Sequence, residues 1–138
     1  MGDSIYIHIP FCEHICHYCD FNKVFLENQP VDAYVDALIK EVQLSPQARE
    51  QRPIRTIYIG GGTPTALTAK QLETLCQALH KELNLSALIE WSVEVNPDSA
   101  TADRLNVMKR FGVNRLSLGV QTFSQPILTE IGRVRFPL

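Results

Sequence analysis

At 138 residues the chain suits one modest domain, and 45% hydrophobic residues suffice for a core. A net charge of -2 leaves no electrostatic footprint for nucleic acid, and no stretch reaches the length of a membrane span. The start, Met1-Gly2-Asp3-Ser4, has neither signal nor transit character, so a cytoplasmic protein in a reducing compartment is expected.

The first predicted strand covers residues 5–9 and runs into Cys12-Glu13-His14-Ile15-Cys16-His17-Tyr18-Cys19. Three thiols so closely and unevenly spaced do not make a disulfide framework; they read as thiolates converging on one inorganic centre. A four-iron cluster wants four ligands, so a loop offering three leaves one iron open to a substrate or cofactor. Structural zinc is the alternative, since His14 and His17 share the loop, although nothing downstream supplies a second ligand pair.

A helix is predicted over residues 31–44, with Tyr34, Leu38 and Val42 on one face and Val35 and Ile39 beside them, followed by a surface link from Pro46 to Pro53. The second strand, residues 55–59, leads into Gly60-Gly61-Gly62-Thr63-Pro64-Thr65. The next helix opens at Thr68 with a capping box to Gln71. Its apolar stripe is Leu72, Leu75, Cys76, Leu79 and Leu83, which makes Cys76 a core thiol rather than a fourth ligand. The third strand, residues 89–95, ends in Glu94-Val95-Asn96-Pro97, and its helix carries Leu105, Met108 and Phe111 before Gly112. The fourth strand, residues 114–120, ends at Gln121, and a last helix begins near Ser124. Strands separated by such helices imply a parallel sheet with right-handed crossovers.

The strands alternate. Ile5, Ile7, Ile9, Ile57, Ile59, Trp91, Val93, Val95, Leu116, Leu118 and Val120 share the parity that suits packing under helices. Tyr6, His8, Thr56, Tyr58, Glu90, Ser92, Glu94, Ser117, Gly119 and Gln121 occupy the other. Burying this second face under apolar chain would cost several kcal/mol per unpaired group, so it is expected to line an open or ligand-filled lumen of an α/β, partial (β/α) barrel. An antiparallel sheet with one wet face is the alternative, against which the helical connections argue. The cysteines, the glycines, Glu94 and Gln121 each follow or close a strand, the end that carries chemistry in βα barrels. Singly, each has a plain structural explanation beside the functional one: glycines permit a tight turn as readily as they let a ligand approach the backbone, Glu94 and Gln121 are solvated strand ends, and a satisfied interior histidine accounts for His8 as well as a lumen role does.

Tyr6-Ile7-His8-Ile9-Pro10-Phe11-Cys12, the Cys-x3-Cys-x2-Cys loop, Gly60-Gly61-Gly62-Thr63-Pro64-Thr65, Glu94-Val95-Asn96-Pro97 and Leu118-Gly119-Val120-Gln121-Thr122-Phe123 resemble, in order and spacing, the N-terminal half of radical S-adenosylmethionine (SAM) proteins. The resemblance is to the heme chaperone branch of the oxygen-independent coproporphyrinogen III oxidase family. It implies that Cys12, Cys16 and Cys19 hold a [4Fe–4S] cluster, whose open iron is chelated by SAM. By the same resemblance Tyr6, Tyr18, Gly61, Gly62, Thr63, Glu94, Gln121 and Arg133 contact the cofactor. The superfamily's reaction, also implied, is one-electron reduction of the cluster and homolysis of SAM to a radical that abstracts hydrogen.

The oxidases carry another cysteine two residues after the third, where this chain has Phe21 after Asp20; Cys-Asp-Phe is the form of the chaperone branch. The resemblance therefore implies a chaperone that binds heme as cargo and passes it to an acceptor protein, with His8 a weak candidate heme contact. Decarboxylation of coproporphyrinogen, which needs an electron donor, is the alternative, and an inactive or zinc-stabilised structural module a further one. Residues 1–133 read as the N-terminal portion of a (β/α)6-type domain, and residues 134–138 as a divergent tail. Four βα units do not close that barrel, so the chain alone is expected to be a fragment, poorly soluble and inactive.

Overall fold

A computed structural model describes residues 3–12, 24–25 and 30–118. Four parallel strands form one open sheet in the order β1 (Asp3–Ile9), β4 (Ile54–Gly61), β5 (Glu90–Val95) and β6 (Arg115–Leu118). Two short segments, β2 (Phe11–Cys12) and β3 (Val24–Phe25), pair in parallel beyond the end of β1. The architecture is α/β, an unclosed partial barrel, and the sheet is parallel as the helical spacing predicts.

The helices are α1 (Val31–Leu44), α2 (Pro46–Arg49), α3 (Ala69–Glu82) and α4 (Ala102–Phe111), with α3 packed against both α1 and α4. The strands' apolar parity enters the core: Ile7, Ile9, Ile57, Ile59, Trp91, Val93 and Val95 cluster with Val35, Leu72, Leu75, Leu79 and Met108. Each large aliphatic side chain taken out of water contributes about 1.5–3 kcal/mol, which is what holds the helices to the sheet. Leu116 and Leu118 share that parity yet are 42% and 56% exposed, because no described helix lies over β6.

The predicted helix starts and stops are realised through local chemistry. The Thr68 side chain accepts from Gln71 N at 3.1 Å while Gln71 Oε1 accepts from Thr68 N at 2.8 Å, the reciprocal capping box. Gly112 ends α4 at φ +107°, a left-handed conformation that glycine adopts without penalty. One segment differs from expectation: the link after α1 contains α2, because Ser45 caps Ala48 N at 3.2 Å and Pro46 takes the first helical position.

Strand register fixes what faces the lumen. Tyr6, Tyr58, Ser92 and Arg115 are successive neighbours across the sheet, His8 pairs with Gly60, and Glu94 with Ser117. Asn114 ties the start of β6 to its neighbour, its side chain accepting from Trp91 N at 2.9 Å and donating to Ile89 O at 3.0 Å. Ser92 departs from the expected open face: its small side chain is buried between larger register neighbours.

Candidate functional site

The C-terminal ends of β1, β4 and β5 meet at one rim, and backbone hydrogen bonds join the loops that follow them. Gly62 N donates to Ile9 O and Thr63 N to Phe11 O, both at 2.8 Å. These bonds lay the glycine segment directly along the backbone that leads into Cys12. The loop after β5 is tied in as well: the hydroxyls of Thr65 and Ser99, both buried, share a hydrogen bond of 2.7 Å.

Two glycines are required here for stated reasons. A Cβ on Gly60 would lie 2.5 Å from Glu94 Oε1 and 2.8 Å from the Tyr58 ring. Gly61 has φ +117°, and its Cβ would lie 2.8 Å from both the His8 ring and Ile9 O. The run therefore lets Glu94 and His8 lean over bare backbone from either side.

Glu94 accepts a hydrogen bond from Tyr58 OH at 2.7 Å. Burial, then this carboxylate, push the Tyr58 phenol up to about 12, so at neutral pH it is protonated and donates. Tyr6 stacks on Tyr58 with ring centroids 5.9 Å apart and interplanar angle 16°, and its hydroxyl lies 3.0 Å from His8 Nδ1. Tyr6 is 58% exposed on the lumen face; burial and then the Glu94 charge raise its phenol as well. The Tyr34 hydroxyl fixes the His8 backbone by donating to its carbonyl at 2.6 Å.

Beside this cluster opens a cleft of about 180 Å³, lined by Tyr58, Gly62, Thr63, Glu94, Asn96 and Ser117 among others. Among the described residues Asn96 Oδ1, which is buried, has no hydrogen-bond partner. Such an acceptor costs about 1–3 kcal/mol while unsatisfied. With the Gly62 and Thr63 amides committed to β1 and β2, the cleft presents the Glu94 carboxylate among hydroxyl and amide side chains and no cationic one among the described residues. It suits a ligand bearing a positive charge or several donors.

Of the residues singled out from sequence, the structure brings Tyr6, Gly61, Gly62, Thr63 and Glu94 to this rim. Cys12 has its backbone there, in β2. Its side chain, and Cys16, Cys19, Tyr18, Gln121 and Arg133, lie outside the described residues, as do the end of the fourth strand and the helix near Ser124. Among the described residues no group of His, Cys, Asp and Glu side chains is arranged to hold a metal ion. Cys76 is a core thiol, 1% exposed and pushed up to about 12 by burial, hence unsuited to ligation at neutral pH. Sequence reasoning placed Tyr58 on the lumen without a role, and named Gly60 and Asn96 only as members of the glycine run and of the Glu94-Val95-Asn96-Pro97 motif. The signal was available in strand alternation, since Tyr58 and Gly60 share one face two residues apart, as Glu94 and Asn96 do.

Comparison with known proteins agrees with this geometry. The pattern of the Radical SAM superfamily matches residues 6–136. The chain is 53% identical over 132 residues to the heme chaperone HemW of Bacillus subtilis, covering 95% of this chain and 35% of that protein. It is 34% identical over 134 residues to an oxygen-independent coproporphyrinogen III oxidase of Synechocystis, covering 96% of this chain and 29% of the relative. Among solved structures, the coproporphyrinogen III oxidase HemN of Escherichia coli, described as a Radical SAM enzyme, superposes with a TM-score of 0.84 at 33% identity, covering 94% of this chain and 30% of that one. The chain thus spans about a third of the length of these relatives.

Proposed function

Because the chain belongs to the Radical SAM superfamily, we propose that it forms the cluster- and SAM-binding part of a heme chaperone, which carries heme to an acceptor protein. Cys12, Cys16 and Cys19 hold a [4Fe–4S] cluster. Tyr6, Tyr18, Gly61, Gly62, Thr63, Glu94, Gln121 and Arg133 bind SAM. When bound, the pair supplies a low-potential electron and a cleavable carbon–sulfur bond. Residues 1–133 constitute the N-terminal portion of a (β/α)6-type domain with 134–138 a divergent tail, and the protein works in the cytoplasm.

The observation that carries this reading is the pair of backbone bonds from Gly62 and Thr63 to Ile9 and Phe11, which sets the start of the cysteine loop against the cleft holding Glu94. The residues on the rim fit the cofactor in kind. Glu94 supplies a carboxylate acceptor, Gly60 leaves the room that this carboxylate occupies, and the exposed Tyr6 ring offers an aromatic wall. The chaperone branch is favoured by the 53% identity to a named heme chaperone and by Phe21, where the oxidases have a further cysteine. Oxygen-independent decarboxylation of coproporphyrinogen, with an electron donor, is the second reading, favoured by the likeness to HemN and to the Synechocystis oxidase.

Anaerobic reconstitution with iron and sulfide, followed by electron paramagnetic resonance of the dithionite-reduced protein with and without SAM, tests the site. A reduced-cluster signal that changes on adding SAM is expected; uptake of zinc and no cluster overturns the reading. Stoichiometric heme binding without turnover of a porphyrinogen then separates chaperone from oxidase.

A further inference from the structure

We infer that Tyr34 is a positioning residue for the cysteine segment: standing on the helix that follows this segment, it grips the strand that enters it, so that the two ends of residues 13–29 stay joined. The role is played on the chain's own backbone and rests on the cluster reading above.

β1 is an edge strand of the sheet, and an edge strand presents backbone groups that no neighbouring strand takes. Ile9 O and Asp3 N are directed toward β4 and its flanks, where they bond to Gly62 N and Pro53 O. His8, out of step with both by one residue, turns its carbonyl the other way. There the Tyr34 hydroxyl donates to it at 2.6 Å, in the place that a further strand would take. The Tyr34 ring also meets Phe11 edge-on, with centroids 5.2 Å apart and an interplanar angle of 84°. Phe11 is buried, and Cys12 follows it directly.

Tyr34 itself stands on a fixed base. It lies in the first turn of α1 with its N–H bonded to Pro30 O at 3.0 Å, and Asp32 of the same turn accepts from Gln71 Nε2 of α3 at 2.7 Å. The start of α1 is thus tied to α3 on one side and to β1 on the other. Opposite the Tyr34 hydroxyl, Gly62 and Thr63 hold Ile9 and Phe11, so the approach to Cys12 is gripped from both sides.

Residues 13–29 include Cys16 and Cys19, and β3, shortly before α1, pairs with β2 through Phe11–Val24 and Cys12–Phe25. Tyr34 closes the segment beside that pairing. Thiolates on a segment joined at both ends have less conformational freedom to lose when they converge on one cluster. The ring alone would pack against Phe11; the bond to His8 O is what separates positioning from packing.

The chain is reconstituted anaerobically with iron and sulfide, and iron release to excess bathophenanthroline disulfonate is followed by absorbance. Iron leaves when a segment bearing a ligand opens, so the rate reads how firmly this base is closed. Tyr34→Phe keeps the ring against Phe11 and is expected to release iron about three- to tenfold faster than wild type, the effect of one hydrogen bond. Tyr34→Leu loses the ring as well and is expected to be faster still. Cys76→Ala, which weakens the core under α3, is expected to melt below Tyr34→Phe yet to release iron within about twofold of wild type. Release from Tyr34→Phe within about twofold of wild type, or a rise that Cys76→Ala matches, overturns the role of Tyr34 while the cluster reading stands. A wild-type chain that takes up no cluster overturns that reading and this inference with it.

Discussion

Tyr58 and Glu94 meet across adjacent strands at 2.7 Å, in space that exists because Gly60 has no side chain. The carboxylate is the rim's charged acceptor, and the phenol orients one of its oxygens while leaving the other to a ligand. Replacing Tyr58 with Phe removes the donor and keeps the ring stacked on Tyr6. The expected result is a three- to tenfold weaker SAM affinity, about 0.7–1.4 kcal/mol, with a melting temperature near that of wild type. Calorimetric titration of the reconstituted chain checks it.

The same phenol gives the fold an alkaline limit. The Tyr58 pKa rises from 10.0 to about 12, chiefly through burial and next through the hydrogen bond to Glu94. The folded state favours the protonated phenol, so this contribution to stability is fully present below pH 10 and is lost as pH climbs through 12. Urea melts at increasing pH should show the loss in that interval, and Tyr58→Phe should reduce it.

Gly61 occupies a left-handed conformation at φ +117°, with His8 and Ile9 closing the space above it. Gly61→Ala is therefore expected to destabilise the chain by about 1–3 kcal/mol, read as a lower denaturant midpoint. Gly112→Ala, at a similar φ but with the Trp91 ring 4.0 Å from the added carbon, pays mainly the backbone term and should cost less.

Cys12 and Cys76 should part company in an iron assay. Cys12→Ser abolishes cluster uptake after anaerobic reconstitution, whereas Cys76→Ala leaves iron content unchanged and lowers stability by about 1–2 kcal/mol through lost packing under α3. Iron retained in Cys12→Ser, or lost in Cys76→Ala, contradicts the assignment.

The α/β frame was legible because each segment's local chemistry agreed with its tertiary role. Ile5, Ile7 and Ile9 alternate with Tyr6 and His8, Thr68 and Gln71 form their capping box, and Gly112 stops its helix where expected. Glu94 was legible as a rim carboxylate and, by resemblance, a cofactor contact, but its partners Tyr58 and Gly60 emerged only from the folded sheet. That meeting joins two strands through residues 36 positions apart in sequence, which local pattern does not encode. Helix α2 was missed for a different reason, since four residues are too few to show a periodicity and only the Ser45-Pro46 pair announces it.

The bonds from Gly62 and Thr63 to Ile9 and Phe11 also bear on how the rim comes apart. Neither the glycine loop nor the strand leading into Cys12 can peel away without breaking the other's ladder, so the two open as one cooperative unit. Their amide protons then act as built-in reporters: whatever anchors the cysteine loop slows exchange at Gly62 and Thr63, far along the sequence from Cys12, Cys16 and Cys19.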